Sequence, residues 1–104
     1  MKSFRFHHDA RAEFRASVRY FETQQRGLGR RFQTHIDNAL KEIQANPTTG
    51  IMEGEFRLKS VRPFSYWIVF TERNKHIWII AIHHGRRDDA HWRTRLNDLA
   101  DEEG

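Results

Sequence analysis

"FSYWIVFTERNKHIWIIAIHH", residues 64–84, is the stretch on which the fold turns. It holds two runs rich in β-branched and aromatic residues, 64–72 and 76–84, separated by the polar turn "RNK". Each run is an extended strand, and the short connection makes the pair antiparallel. In the first, Phe64, Tyr66, Ile68 and Phe70 share one face while Trp67 and Val69 share the other. In the second, Ile77 and Ile79 oppose Trp78, Ile80 and Ile82 by the same alternation. Both faces of this hairpin are apolar, so both need cover. The cover for one is to be sought upstream; for the other it is the chain's own C-terminal segment, a second copy or a partner chain.

Upstream, "FRLKSV" (56–61) ends at "RP" and adds a third strand, giving a three-strand meander. Residues 47–55, "PTTGIMEGE", read as a loop. Before them, Phe32, Ile36, Ala39, Leu40 and Ile43 recur on one helical face, and the helix stops at "ANP", where Pro47 disfavours helix at Asn46. Phe14, Val18 and Phe21 make a similar stripe over about 10 to 26, with Asp9 as the expected N-cap and Gly27 or Gly29 as the stop. The glycine linker joins the two into an antiparallel helical hairpin whose stripes face a sheet. "KSFRFH" (2–7) alternates Phe4 and Phe6 with polar residues and forms a first strand. Residues 89–99 are expected to be helical through Trp92, Leu96 and Leu99. The fold class is therefore α+β: an N-terminal strand and helical hairpin on one face of an antiparallel sheet, closed by a short C-terminal helix, in one domain spanning 1–104.

Composition narrows the function. There is no cysteine, which removes disulfides, thiolate metal sites and thiol nucleophiles and fits a cytoplasmic setting. No continuous apolar segment supports secretion or membrane insertion. Eighteen Lys and Arg against fourteen Asp and Glu leave a net charge of +4, and "DEEG" gathers acid at the C-terminus, so the body is more basic still. An acidic partner, either nucleic acid or an acidic protein segment, is implied.

The chemistry-bearing residues gather in "AIHHGRRDDAHWRTRL", 81–96. As metal ligands His83 and His84 are poor, because neighbours on a strand point to opposite faces, and "HH" at 7 and 8 meets the same objection. No metal and no cofactor is expected. Neither a G-x-S-x-G elbow nor a G-x-x-x-x-G-K-[ST] loop occurs. Metal-free phosphodiester cleavage has its raw materials, with Arg57, Lys59, Arg62 and Arg87 as cations and His83 or His84 as base. The simpler alternative is a solvated basic sheet edge.

The order of strand, helical hairpin and meander, together with "GLGRRFQTHIDNALKEIQANP", "FRLKSVRPFSYWIVFTE" and "IIAIHHGRRDDAHWRTRL", resembles the RelE/ParE superfamily of type II toxin–antitoxin toxins. The ending carried by Arg87, Trp92 and Arg95 looks most like the ParE-like, plasmid stabilisation branch. That resemblance implies a growth-inhibiting toxin of DNA gyrase or a similar essential target, and a cognate antitoxin, in a homodimer or a heterotetramer with it. The mRNA-cleaving branch, acting in the ribosome, implies a basic or acidic trio plus a terminal Tyr or His; no tyrosine follows Tyr66. Ser65 and Asp89 stand where relatives often carry proline. An inactive toxin-like binding module is the third alternative. For docking of target or antitoxin the expected residues are Arg86, Arg87, Trp92, Arg93 and Arg95, with Trp67 and Trp78 as exposed aromatics.

Overall fold

The computed structural model describes residues 2–73, 75–85 and 91–99. Its elements run β1 (Ser3–Phe6), α1 (His8–Gln24), α2 (Leu28–Ala45), β2 (Ile51–Glu53), β3 (Phe56–Val61), β4 (Tyr66–Arg73), β5 (His76–His84) and a 3₁₀ helix, η1 (His91–Asp98). The fold is α+β, with five strands in one mixed sheet ordered β1-β5-β4-β3-β2. No helix among the described residues is long and apolar enough to cross a membrane.

Two expectations change together. The segment read as a loop contains β2, which pairs with β3 through a two-residue turn at Gly54 and Glu55. Gly54 takes φ +62, the left-handed conformation such a turn demands of its first central residue. This added reversal changes the direction count along the chain, so β5 returns parallel to β1 rather than antiparallel. β2 escaped notice because three exposed residues carry no alternation to detect.

The start of α1 also differs. His7 is the N-cap, its Nδ1 accepting the Asp9 backbone N–H at 3.1 Å, and Asp9 lies in the first turn. Imidazole supplies here the acceptor that sequence preference assigns to a carboxylate. Gly27, at φ +87, begins α2, while Gly29 lets the helices close: a Cβ there would stand 2.6 Å from the Val18 carbonyl oxygen.

The hairpin face of the sheet packs as expected. Phe32, Ile36, Leu40 and Ile43 of α2 are buried against Ile68, Phe70, Ile77 and Ile79. α1 contributes less, with Ala10 fully buried and Phe14, Val18 and Phe21 partly so. Phe21, Phe32, Phe64 and Tyr66 form an aromatic cluster, with centroids 4.9 to 5.8 Å apart.

Strand β5 breaks the simple alternation. Val69 pairs with Ala81 but Phe70 pairs with Ile79, so Ile80 is an extra residue, a β-bulge. Past the bulge the phase flips, and Ile82 joins Ile77 and Ile79 on the hairpin side instead of Trp78 and Ile80. The opposite face collects Phe56, Val69, Trp78, Ile80 and Ala81 under Trp92 and Leu99. The chain's own η1 therefore covers the second apolar face, and that face by itself no longer calls for a partner.

Ile36 is inaccessible to solvent within the first core. Ile36→Ala is expected to destabilise the fold by about 2–5 kcal/mol in urea unfolding; a change near zero would contradict the packing of α2 on the sheet.

Candidate functional site

β1 ends at Phe6, opposite Ile79, and His7 N–H closes the ladder on the Ile79 carbonyl at 2.9 Å. Beyond that point the outer edge of β5 has no neighbouring strand among the described residues, and the bulge lies there. Two side chains replace the missing strand. Arg95 of η1 donates from Nη1 to the Ile80 carbonyl at 2.9 Å, and Glu13 of α1 accepts the Ile82 N–H at 3.1 Å. The two also grip each other, at 3.0 Å (Nη1 to Oε1) and 2.7 Å (Nη2 to Oε2). This is the forked geometry that a guanidinium and a carboxylate favour. Arg95 Nε lies 3.7 Å from Asp9, and His91 Nε2 lies 3.4 Å from Glu13.

Burial pushes the Glu13 carboxyl up, but hydrogen bonds from Arg95 and the Ile82 N–H outweigh it. The Arg95 charge and the His91 contact add to them, and the group ends below its ordinary value of 4.5. A second tie fastens the end of η1: His7, fully buried, donates from Nε2 to Asp98 at 2.7 Å.

These contacts correct part of the expected docking surface. Trp78 and Trp92 are buried in the second core, and Arg95 is buried beside Glu13. They hold the fold together and present no surface. Trp92 meets Phe56 edge-on at 4.9 Å and stacks near His83 at 6.5 Å. Arg93 does remain exposed, over the Trp92 ring and bridged to Glu53 of β2. Trp67 is half-buried. Arg86 and Arg87 lie outside the described residues.

The residues considered for cleavage are spread over several environments. Arg57 donates to the Thr48 carbonyl at 2.8 Å, and Lys59 pairs with Glu42 of α2 at 2.8 Å. Arg62 is exposed and lines an open cavity of about 480 Å3 with Ser60, Ser65, Trp67 and Gly85. His83 is buried on the η1 side, its Nδ1 donating to the His84 carbonyl at 2.7 Å. His84 is exposed on the other side, edge-on to Tyr66 at 5.7 Å. The adjacent histidines thus face apart, as strand geometry requires. His7 and His8 do not: their rings stack at 4.3 Å, because they open a helix instead of lying in a strand. With Asp9 they bring three ligand atoms within 4.8 Å of one another, but both ring nitrogens of His7 are committed, to the Asp9 N–H and to Asp98.

Glu13 was not singled out from the sequence. Its signal was a charge on an inward stripe: Ala10, Glu13 and Ser17 follow helical spacing, as do Trp92, Arg95 and Leu99. Opposite charges on two inward stripes suggest that each is the other's partner.

The element order, strand, helical hairpin, then meander, is that of a RelE/ParE-like toxin. Residues 4–89 match the family model of the ParE toxin of type II toxin–antitoxin systems, and the chain belongs to that family. Membership carries a toxin role and implies a cognate antitoxin as partner. A search of curated proteins returns no match. The matched range stops short of η1, so the Trp92 and Arg95 anchors fall outside it.

Arg95→Ala would take the charged donor from a partly buried carboxylate and the side-chain donor from the Ile80 carbonyl, and is expected to cost about 2–4 kcal/mol in urea unfolding. The pH dependence is a second test. A carboxyl lowered in the folded state contributes stability that is full above its unfolded value and lost as pH falls through its folded value. The gap in thermal midpoint between wild type and Glu13→Gln should therefore be widest above pH 4.5 and narrow progressively below it; a gap independent of pH would remove the clasp from the account.

Proposed function

We propose that the chain is a cytoplasmic toxin that inhibits DNA gyrase, or a similar essential topoisomerase, by docking, and that a cognate antitoxin neutralises it. The observation that carries docking over catalysis is the dispersal of the residues a ribonuclease would need. Arg57 and Lys59 spend their charge on Thr48 and Glu42, His83 is packed under η1, and His84 faces Tyr66 on the opposite side of the sheet. A general base has to share one substrate atom's neighbourhood with the cations that stabilise it. A docking surface has no such requirement. For it we assign the open cavity of Arg62 and Trp67, whose rim at Gly85 continues in sequence into Arg86 and Arg87. Guanidiniums there suit the carboxylates of a protein partner, gripped bidentately.

Gly85 fits this assignment. A Cβ on it would approach Trp67 Nε1 to 2.8 Å and the Ser65 carbonyl oxygen to 2.9 Å, so any side chain there would displace the indole that floors the cavity.

Induction in cells distinguishes the mechanisms. Gyrase poisoning produces filamentation and a DNA-damage response, and the purified protein should trap cleaved DNA in a gyrase assay. Arrest of translation with cut messages would instead establish the ribosome-dependent ribonuclease. Among variants, His84→Gln is expected to stay toxic, since its ring is exposed and its replacement leaves both cores intact, whereas Arg87→Ala is expected to lose toxicity. A general base would show a loss of about 10²- to 10⁴-fold on the histidine change, and that ranking at matched soluble expression would favour catalysis.

A further inference from the structure

α1 carries three arginines at four-residue spacing, Arg11, Arg15 and Arg19, all exposed. They form one wall of a groove of about 350 Å3, with Gln33 of α2 on the other side and Phe14 and Val18 between. Like charges at this spacing repel and destabilise a helix. Carboxylates one turn away would normally relieve them, and α1 has three acids, but each is directed elsewhere. Asp9 approaches His8 and Arg95, Glu13 is held by Arg95 and Ile82, and Glu22 accepts the backbone N–H groups of Gly27 and Gly29. Some cations elsewhere are neutralised, Lys2 by Glu72, Lys59 by Glu42 and Arg93 by Glu53; other exposed ones, such as Arg30, Arg31 and Lys41, also lack a carboxylate pair among the described residues, but they do not line this groove. Among the described residues no carboxylate pairs with Arg11, Arg15 or Arg19. What sets these three apart is alignment: they follow one another along one helix and share one groove, with Arg11 resting over the Phe6 ring at 5.0 Å.

We propose that this line is a phosphate-tracking surface for the backbone of duplex DNA. From Arg11 to Arg19 the helix rises about 12 Å, which one DNA strand fills with about three to four phosphates. Guanidiniums on flexible stems grip phosphate oxygens bidentately, and Gln33 adds a donor across the groove. An acidic protein segment is the competing occupant. A peptide that folds on binding needs apolar anchor sites to offset its ordering cost. Phe14 and Val18 are already packed into the first core; of the large exposed apolar side chains, Tyr20 follows Arg19 on α1 but does not line the groove, and Ile51 and Met52 lie on β2 at the far edge of the sheet. Electrostatics without apolar anchors describes sequence-independent DNA binding. This surface is separate from the cavity assigned above to target docking, and its test reads DNA binding alone, so either assignment can fail without the other.

The test is fluorescence anisotropy with the full chain and a labelled duplex of about 20 base pairs, titrated with salt. Three phosphate contacts predict a slope of log K against log salt of about −2.7, and so about a 40-fold loss of affinity between about 50 and 200 mM salt. The triple variant Arg11→Gln, Arg15→Gln, Arg19→Gln should abolish both binding and slope. It should also melt no earlier than wild type, since it removes repulsion. Lys41→Gln, Arg73→Gln, Lys75→Gln, with the same loss of charge on other elements, should bind nearly as wild type does. Equal loss in both variants would reduce the effect to net charge and overturn the proposal. So would a wild-type slope near zero, and tighter binding of a poly-glutamate peptide than of the duplex would transfer the surface to an acidic protein.

Discussion

The fork between Arg95 and Glu13 is the constraint on which the arrangement of this molecule depends. It joins three parts of the chain that are distant in sequence: the first helix, the bulged outer edge of the longest strand, and the C-terminal 3₁₀ turn. An unpaired strand edge must be covered, paired or charged. Here β1 pairs only as far as Ile79, and a salt bridge takes over the ladder with one donor and one acceptor aimed at the next two free backbone groups. Because each partner also satisfies the other, the cost of partial burial is shared among several hydrogen bonds. Removing Arg95 strips the Ile80 carbonyl of its donor and Glu13 of two bonds, and removing Glu13 strips the Ile82 N–H of its acceptor.

That fork also decides what the second sheet face does. With Arg95 pinned to the Ile80 carbonyl, Trp92 falls one turn earlier, over Phe56, and Leu99 one turn later, in the same cluster as Trp78. His7 secures the far end through Asp98 while capping α1 with its other nitrogen. A face apolar enough to suggest a partner is thereby closed from within. What stays open is the β3–β4 end, where Arg62 and Trp67 border the cavity.

The layers were readable from the sequence because helix and strand periodicities were strong where burial was complete. Phe32, Ile36, Leu40 and Ile43 could face only one way, and so could Ile68 and Phe70. What escaped was the local geometry that periodicity does not encode. The bulge at Ile80 is invisible in a run where isoleucine occupies both phases, and it moved Ile82 to the other face. β2 lacks any buried residue to mark it. Trp78, Trp92 and Arg95 looked like surface because aromatic and cationic residues suit both a docking patch and a satisfied interior. Only the position of Glu13, on a different element, separates these two roles for Arg95.

The same allocation of charge links stability to the outer surface. A chain with net charge +4 has too few carboxylates to pair every cation, so where the acids are bound determines where positive charge is left over. On α1 the acids serve the interior and the helix ends, Glu13 at the β5 edge and Glu22 at the glycine turn. None of these existing acids could turn to the arginines between them without withdrawing a group that holds the hairpin or η1 in place. A carboxylate added at an exposed α1 position such as Ala12 or Ala16, one residue from the stripe, would reduce its field without touching either core. The three unpaired arginines are therefore not forced by the fold's stability, since exposed neutral positions lie beside them on the same helix.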